Sequence, residues 1–388
     1  MQSQEDPLES HRIGCRMKMN VCGIHLGLTD NCNFGCEYCF CGKQRSANLN
    51  LDLGKRAVDL VAEHAAGPAS ITYFGGEPLL RYPLLKEITA YASRKQTSEV
   101  SFTFELVTNG SLLNEEVIKF LVDNRFSVLF SFDGVREAQD AHRRMRDGRS
   151  SHPMVLHNLR SILRSGLSVA VRPTVTPRNV AYLSQSVAFL LDLGAKQIGF
   201  DLAFECGWAK PDLRILKVQM QTVADIYVAK MLPDRQDIII YAFHDALVSR
   251  MTGDLQPRCG GGKECFYIAP NGEIFFCCWF RGTDEKERFA KVGDLRTGFD
   301  FKKMEAINSA VDASVKRRFG CPECDYQNLC HKYCIAHNFL CTGDPFTAAP
   351  SVCAYEKIRI ATALKTGRKL FDKGHPYMKN MMRDLLFG

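Results

Sequence analysis

The sequence of 388 residues has no stretch that approaches 18 consecutive apolar residues, which excludes a transmembrane helix. Its N-terminus is polar and acidic, whereas a secretory signal needs a basic start and then an apolar run. Internal repeats, low-complexity segments and a stripe of basic and aromatic residues are also absent. We therefore expect a cytoplasmic globular protein without membrane association. Its length predicts one large domain, or one of about 200 to 250 residues plus a smaller appendage.

Seventeen cysteines are the unusual feature of the composition. In a reducing compartment, such a number indicates metal ligation rather than disulfides. Six cysteines precede residue 42, ten fall between Cys259 and Cys353, and Cys206 stands alone. Because the spacings within these groups are short, several thiolates can converge on one centre.

Short β-rich segments alternate with amphipathic helical patterns from Val21 to about Trp208, which is typical of a parallel sheet. The predicted strands are 21–29, 70–74, 101–108, 126–132, 167–176 and 196–203. The predicted helices are 52–66 with Asp52 as N-cap, 113–124, 179–193 ending at Gly194, and 213–232. Six such units predict an α/β fold. They favour a partial (β/α)6 TIM-like barrel with its site at the strand C-termini, although a doubly wound open sheet has the same periodicity.

The βα pattern ends near Pro233, where the composition shifts to cysteine, glycine and short strands. We predict four parts: an N-terminal extension (1–20), the partial barrel (21–233), a small Cys-rich domain (234–355) and a basic helical tail (356–388). The Cys-rich part has short strands at 238–241 and 266–279, the latter broken by Pro270-Asn271-Gly272, and so few aliphatic residues that bound metal must help it fold. The tail predicts a solvated helix face or, alternatively, a docking surface for an acidic peptide.

Cys32, Cys36 and Cys39 follow the first predicted strand with the spacing Cys-x3-Cys-x2-Cys. Three thiolates can hold three irons of a cubane cluster and leave the fourth iron open to a ligand, which a closed four-thiolate site cannot do. A structural zinc site with a distant fourth ligand is the alternative.

This spacing, with Tyr38 before the last cysteine, resembles the signature of the radical SAM superfamily. The resemblance continues in the same order at the ends of the following predicted strands. It implies one [4Fe-4S] cluster and bound S-adenosylmethionine. The implied contacts to S-adenosylmethionine are Tyr38, Gly75, Gly76 and Glu77 in the loop that receives the amino group, Asn109, Ser131 in the ribose-contacting segment, and Arg143 for the methionyl carboxylate.

The C-terminal cysteines resemble the SPASM domain, an extension of radical SAM enzymes that carries two auxiliary [4Fe-4S] clusters. The resemblance implies that Cys259, Cys265, Cys277 and Cys334 bind the first auxiliary cluster, and that Cys321, Cys324, Cys330 and Cys353 bind the second. Structural zinc is the alternative for either set. Three oxidised clusters would lower the formal net charge from +7 to about +2, which weakens the case for a nucleic-acid partner.

The resemblance implies reductive cleavage of S-adenosylmethionine and removal of hydrogen from a residue of a peptide or protein, giving a thioether or carbon–carbon crosslink. Formylglycine formation, as in the anaerobic sulfatase maturases, is the alternative. Those enzymes carry an Asp where this chain has Cys278, so Cys278 is either a catalytic thiol or a spare buried one. A reducing partner such as flavodoxin or ferredoxin is expected, with a separate peptide-recognition protein possible. A zinc-stabilised interaction module is the non-enzymatic hypothesis.

Overall fold

The computed structural model describes residues 20–39, 46–234, 238–252, 260–281, 288–317, 321, 323–330 and 334–376. Almost all of the predicted N-terminal extension, the predicted ligand Cys259 and the end of the basic tail lie outside these residues.

The strands are β1 Gly23–Thr29, β2 Ala69–Gly75, β3 Phe102–Thr108, β4 Ser127–Phe130, β5 Ser168–Val171, β6 Thr174–Val175, β7 Gln197–Ile198, β8 Asp201–Leu202, β9 Ile239–Ile240, β10 Cys265–Ile268, β11 Glu273–Phe275, β12 Lys291–Asp294 and β13 Gly298–Phe299. The α-helices are α1 Leu51–His64, α2 Tyr82–Arg94, α3 Glu115–Asp123, α4 Arg136–Asp140, α5 His152–Leu163, α6 Leu183–Asp192, α7 Lys210–Asp234, α8 Tyr241–Thr252, α9 Phe301–Arg317, α10 Ile335–Thr342 and α11 Pro350–Asp372.

In the part of the chain that the structure describes, eleven strands form one sheet in the order β13-β12-β11-β10-β1-β2-β3-β4-β5-β7-β9. From β10 through β1 to β9, every neighbouring pair is parallel. Each neighbouring pair from β10 to β13 is antiparallel. The sheet has two edges and does not close. The predicted α/β fold, with six consecutive parallel strands in an unclosed barrel, is therefore confirmed.

The two faces of this sheet differ in polarity. On the face that packs under the helices, β1 contributes Ile24, Leu26 and Leu28, all fully buried. On the opposite face, one lateral row runs from His25 through Thr72 and Glu105 to Ser127 and Ser168. Parallel sheets are usually apolar on both faces, so this polar and partly exposed inner face is not part of the hydrophobic core.

Several predicted element boundaries shift for local reasons. Helix α1 is capped by Asn50, whose side chain accepts a hydrogen bond from the Leu53 amide, and not by Asp52, which lies in the first turn. The strand predicted at 167–176 is split into β5 and β6 around Pro173, which has no N–H for the ladder. The helix predicted at 179–193 begins as a 3₁₀ turn over Val180–Tyr182.

The Cys-rich part continues the barrel sheet, because β10 pairs in parallel with β1 at the edge opposite β9. The position of the domain boundary stays a prediction. Helix α11 packs against α7 and α8 and contains the start of the predicted basic tail. One tail residue is not solvated as predicted: Arg359 is buried and donates to both carboxylate oxygens of Glu356 at 3.1 and 2.9 Å.

In the described part of the chain, no helix is both long enough and apolar enough to span a bilayer.

Candidate active site

The loop after β1 carries Cys32, Cys36 and Cys39. Burial, with repulsion from the neighbouring thiolates as a smaller cause, raises the pKa of the Cys32 thiol to about 11 and that of Cys36 to about 12. The three sulfurs are therefore close enough to interact, and a bound cation would favour the thiolates that burial alone disfavours. Within the described ranges, however, no three His, Cys, Asp or Glu side chains already adopt a metal-binding arrangement.

The donor set nevertheless fits an iron–sulfur cluster. The Phe34 amide donates to the Cys32 sulfur at 3.4 Å, and the Asn109 side-chain amide donates to the same sulfur at 3.6 Å. Hydrogen bonds to ligating sulfurs are a normal part of such sites, where they orient the ligand and tune its potential.

The glycine-rich loop after β2 lies directly on the start of the cysteine loop. The Gly76 amide donates to the Thr29 carbonyl at 2.8 Å, and the Glu77 amide donates to the Asn31 carbonyl at 2.9 Å. A Cβ added at Gly76 would lie 2.2 Å from the Asn31 oxygen, and one at Gly75, where φ is +129°, would lie 2.3 Å from the Thr29 oxygen. Only glycine allows this close approach of the two backbones.

Glu77 is fully buried and ties the end of β2 to the end of β3. Its carboxylate accepts hydrogen bonds from the Thr108 hydroxyl at 2.8 Å, the Asn109 amide at 2.8 Å and the Leu79 amide at 3.1 Å. Burial raises the pKa of Glu77 to about 7, although these three donors oppose the rise. Both oxygens are thus used inside the protein, and Glu77 positions the loop in this structure.

Asn109 connects β3 to the cysteine loop. Its Nδ2 also donates to the side-chain oxygen Oδ1 of Asn33 at 2.9 Å, while its own Oδ1 accepts from the Ser111 hydroxyl at 2.6 Å. The side-chain Nδ2 of Asn33 in turn donates to the Ser111 hydroxyl oxygen at 2.8 Å. Ser111 is not among the residues predicted from the sequence, and it joins the site through these contacts.

Arg143 lies in a buried polar cluster beside the cysteine loop. Its Nε donates to Asp133 at 2.9 Å, its Nη2 donates to the Thr174 hydroxyl at 3.1 Å, and its guanidinium stacks over the Tyr38 ring at 5.3 Å. The Tyr38 hydroxyl donates to the second oxygen of Asp133 at 2.8 Å. Burial raises the pKa of Tyr38 well above its ordinary value, so the phenol stays protonated.

This cluster brings together two predicted residues, Tyr38 and Arg143, and one that was not predicted. Asp133 follows Ser131 by two residues in the sequence, but its role as the counter-ion of Arg143 follows only from the fold. Ser131 is half-buried just beyond β4, where its amide donates to the Thr108 carbonyl at 2.8 Å.

Among the predicted ligands of the first auxiliary cluster that the structure describes, two are close enough to interact. The sulfurs of Cys277 and Cys334 interact electrostatically. Cys265 begins β10, and Cys277 follows the end of the neighbouring strand β11 by two residues, so their convergence on one cluster stays a prediction. A hydrogen bond with Cys278 lowers the pKa of the Cys277 thiol, whereas burial raises that of Cys334 to about 12. The fourth predicted ligand, Cys259, lies outside the described residues.

The second predicted set is less assembled. Cys321 and Cys324 share one turn, in which the Cys324 amide donates to the Cys321 carbonyl at 3.1 Å. Cys330 is half-buried after Leu329, and Cys353 is exposed in the first turn of α11. Their joint ligation stays a prediction. Cys278 is buried beside Cys277, and this position fits either a catalytic or a spare thiol.

Charged residues continue the polar inner face toward the C-terminal part of the chain. Arg172, just after β5, donates from Nε to Asp201 at 2.6 Å. On α8, burial raises the pKa of Asp245 to about 6, against the opposing charges of Arg359 and Arg172. Tyr241 donates to the Gln197 side chain at 2.7 Å. These groups offer hydrogen-bond donors and acceptors to a polar ligand inside the open barrel.

Comparison with known proteins places this arrangement in context. The family model described as "Radical SAM superfamily" matches residues 26–190. An uncharacterized protein of Methanocaldococcus jannaschii is 28% identical over 177 residues, which cover 46% of this chain and only 61% of that protein. A cysteine-type anaerobic sulfatase-maturating enzyme of Clostridium novyi is 21% identical over 325 residues, covering 79% of this chain and 85% of the enzyme.

Among solved structures, native anSMEcpe with bound AdoMet and Kp18Cys peptide superposes with a TM-score of 0.73 at 17% identity. The superposition covers 93% of this chain and 99% of that one. At such identity the likeness concerns the fold, which therefore extends through the Cys-rich part.

Proposed function

Because residues 26–190 form a radical SAM domain homologous to that of the anaerobic sulfatase maturases, we propose that this enzyme oxidatively modifies a residue of a peptide or protein substrate. The proposed product is a thioether or a carbon–carbon crosslink. The observation that carries the proposal is the cysteine loop, which rests on Gly75 and Gly76 and is hydrogen-bonded by Asn109 at the rim of an open barrel.

In this proposal, Cys32, Cys36 and Cys39 hold a [4Fe-4S] cluster that, when bound with S-adenosylmethionine, supplies one-electron reductive cleavage and a hydrogen-abstracting 5′-deoxyadenosyl radical. Arg143 receives the methionyl carboxylate, because a guanidinium suits a carboxylate and this one is already oriented by Asp133 and Thr174. Gly75 and Gly76 let the ligand approach the backbone, and Ser131 lies at the rim toward the ribose.

The substrate class rests on the inner face of the barrel. Its row from His25 to Ser168 is polar and partly exposed, which suits the backbone and side chain of a peptide better than an apolar ligand. The solved structure with the similar fold contains a bound peptide, which is consistent with this reading. We propose that the eight C-terminal cysteines would hold two auxiliary [4Fe-4S] clusters, which would supply an acceptor for the electron that the substrate loses.

The similarity to sulfatase-maturating enzymes keeps formylglycine formation as the second candidate. Cys278 argues against this candidate, because the resemblance implies an Asp at this position in the sulfatase maturases. A thiol beside a negatively charged cluster is a poor proton acceptor, since nearby negative charge raises its pKa.

The test is to incubate the anaerobically reconstituted and reduced holoenzyme with S-adenosylmethionine and with peptides encoded near its gene. Mass spectrometry then reads the product. A loss of two mass units localised to two residues supports crosslinking, whereas conversion of one Cys or Ser to an aldehyde assigns formylglycine formation. A colourless, zinc-containing protein that leaves S-adenosylmethionine intact would instead support the interaction module and refute both enzymatic readings.

A further inference from the structure

The chain carries a short run of exposed arginines directly after the buried Arg143. Arg144, Arg146 and Arg149 are all exposed and share one tight turn, in which the Gly148 amide donates to the Met145 carbonyl at 2.9 Å and the Met145 amide donates to the Arg149 carbonyl at 3.0 Å. We call residues 144–149 the arginine turn. Nothing in the proposed catalysis uses it.

Backbone hydrogen bonds fix this turn to the cysteine loop. The Gly35 amide, between Cys32 and Cys36, donates to the Arg144 carbonyl at 2.9 Å, and the Arg146 amide donates to the Asn33 carbonyl at 3.2 Å. Phe34 and Met145 form a β-bridge between them. The arginine turn therefore lies directly beside the predicted cluster ligands. It is held mainly by main-chain hydrogen bonds, to which the Arg144 side chain adds one, to the Gly148 carbonyl at 3.2 Å.

The cysteine loop is itself at the surface here. Gly35, Glu37 and Cys39 are exposed, so a protein that covers the arginine turn also covers the outer edge of the cysteine loop. Two carboxylates are present at this edge and each has an arginine partner: Asp147 pairs with Arg149, and Glu37 pairs with Arg178. Among the described residues, neither Arg144 nor Arg146 forms an ion pair, so both add positive charge to this edge.

We propose that the arginine turn is the docking surface for an acidic one-electron donor protein, of the flavodoxin or ferredoxin kind. The proposal rests on the function proposed above, because it requires a redox cluster on the adjoining loop. The step is a transfer of one electron: the donor is oxidised by one electron, and the cluster held by Cys32, Cys36 and Cys39 is reduced by one. Complementary charge steers such partners and raises their association rate, and the complexes are small and transient.

The test compares a protein donor with a small one. In the holoenzyme, the triple charge reversal Arg144→Glu, Arg146→Glu, Arg149→Glu should lower 5′-deoxyadenosine formation driven by reduced acidic flavodoxin at least tenfold at about 10 mM salt. The deficit should shrink at about 0.15 M, where the Debye length falls from roughly 30 to 8 Å. Formation driven by dithionite should not change, because the turn is held mainly by main-chain bonds that the substitutions keep. The triple change to Lys should restore the flavodoxin-driven rate.

A binding readout separates docking from catalysis. Calorimetric titration with oxidised flavodoxin should give a dissociation constant at least tenfold weaker for the reversed variant than for the unchanged protein. A matched reversal of three exposed basic residues on α11, Lys357→Glu, Lys365→Glu and Arg368→Glu, should leave both readouts unchanged.

Equal loss in the α11 control, or an unchanged flavodoxin rate in the reversed arginine turn, would overturn the proposal. An increased KM for peptide under dithionite, with unchanged flavodoxin binding, would assign the surface to the substrate and also overturn it. Absence of 5′-deoxyadenosine from the unchanged holoenzyme with dithionite would refute the proposed function instead, so the two failures are distinguishable.

Discussion

Replacing Glu77 by glutamine should change how the stability of this protein depends on pH. The carboxyl is fully buried, and its pKa rises from an ordinary value of 4.5 to about 7 on folding. Between these pH values, the folded protein binds more protons at Glu77 than the unfolded chain does. Stability contributed by this group is therefore greatest below pH 4.5 and falls as the pH rises through 7.

The size of the effect follows from the same two pKa values. Their separation corresponds to roughly 3 kcal/mol, spread between about pH 4.5 and 7. Glutamine cannot ionise, so this slope disappears in the variant. Its NH₂ group would face the Asn109 amide that now donates to Glu77, which adds a cost of about 1–3 kcal/mol that does not depend on pH.

The assay is chemical denaturation of the reconstituted holoenzyme from pH 4.5 to 8, followed by the fluorescence of the two tryptophans. The stability advantage of the unchanged protein over Glu77→Gln should decrease by roughly 3 kcal/mol across this range. Glu63→Gln, on the exposed surface of α1, should give a curve parallel to that of the unchanged protein. A difference between Glu77→Gln and the unchanged protein that is flat, or that grows with pH, would refute the reasoning.

Three further predictions concern the site. Arg143→Lys should raise the KM for S-adenosylmethionine at least tenfold in a 5′-deoxyadenosine assay, because lysine cannot satisfy Asp133, Thr174 and a carboxylate together; an unchanged KM contradicts its assignment. Gly76→Ala should lower the iron content by about four per chain, because the new methyl group would displace Asn31 and the cysteine loop. Gly67→Ala should leave the iron content unchanged, because a methyl group at Gly67 meets no neighbouring atom. Equal iron content in the two variants would contradict the close packing at Gly76. Cys278→Ser should leave the iron content and the rate of 5′-deoxyadenosine formation unchanged. Normal product formation would identify Cys278 as a spare thiol, whereas loss of product alone would identify it as catalytic.

The barrel strands could be predicted because their signal is local. Alternation of apolar residues with turn residues located all six, and the structure confirms them with shifted ends. The sequence predicts Asp52 as the cap of α1, whereas Asn50 caps it, because the backbone decides which side chain reaches the Leu53 amide. The apolar pattern predicts one continuous fifth strand, whereas the structure breaks it at Pro173.

Long-range features were less accessible. The sequence predicts a solvated basic face for the tail, yet Arg359 is buried. Its burial and its pairing with Glu356 depend on the packing of α11 against α7 and α8, which the sequence pattern does not reveal. Asp133 and Ser111 belong to the site through contacts that no spacing rule gives. The pairing of β10 with β1, which joins the Cys-rich part to the barrel, also lies beyond periodicity, since the two strands are more than two hundred residues apart.

The most direct test of the central claim removes the three thiols of the cysteine loop together. Anaerobically reconstituted protein should contain about twelve irons per chain, and the variant Cys32→Ala, Cys36→Ala, Cys39→Ala about eight. With dithionite and S-adenosylmethionine, the unchanged protein should form 5′-deoxyadenosine and the variant none. Undiminished 5′-deoxyadenosine formation by the variant would contradict the claim that these thiolates hold the reactive cluster.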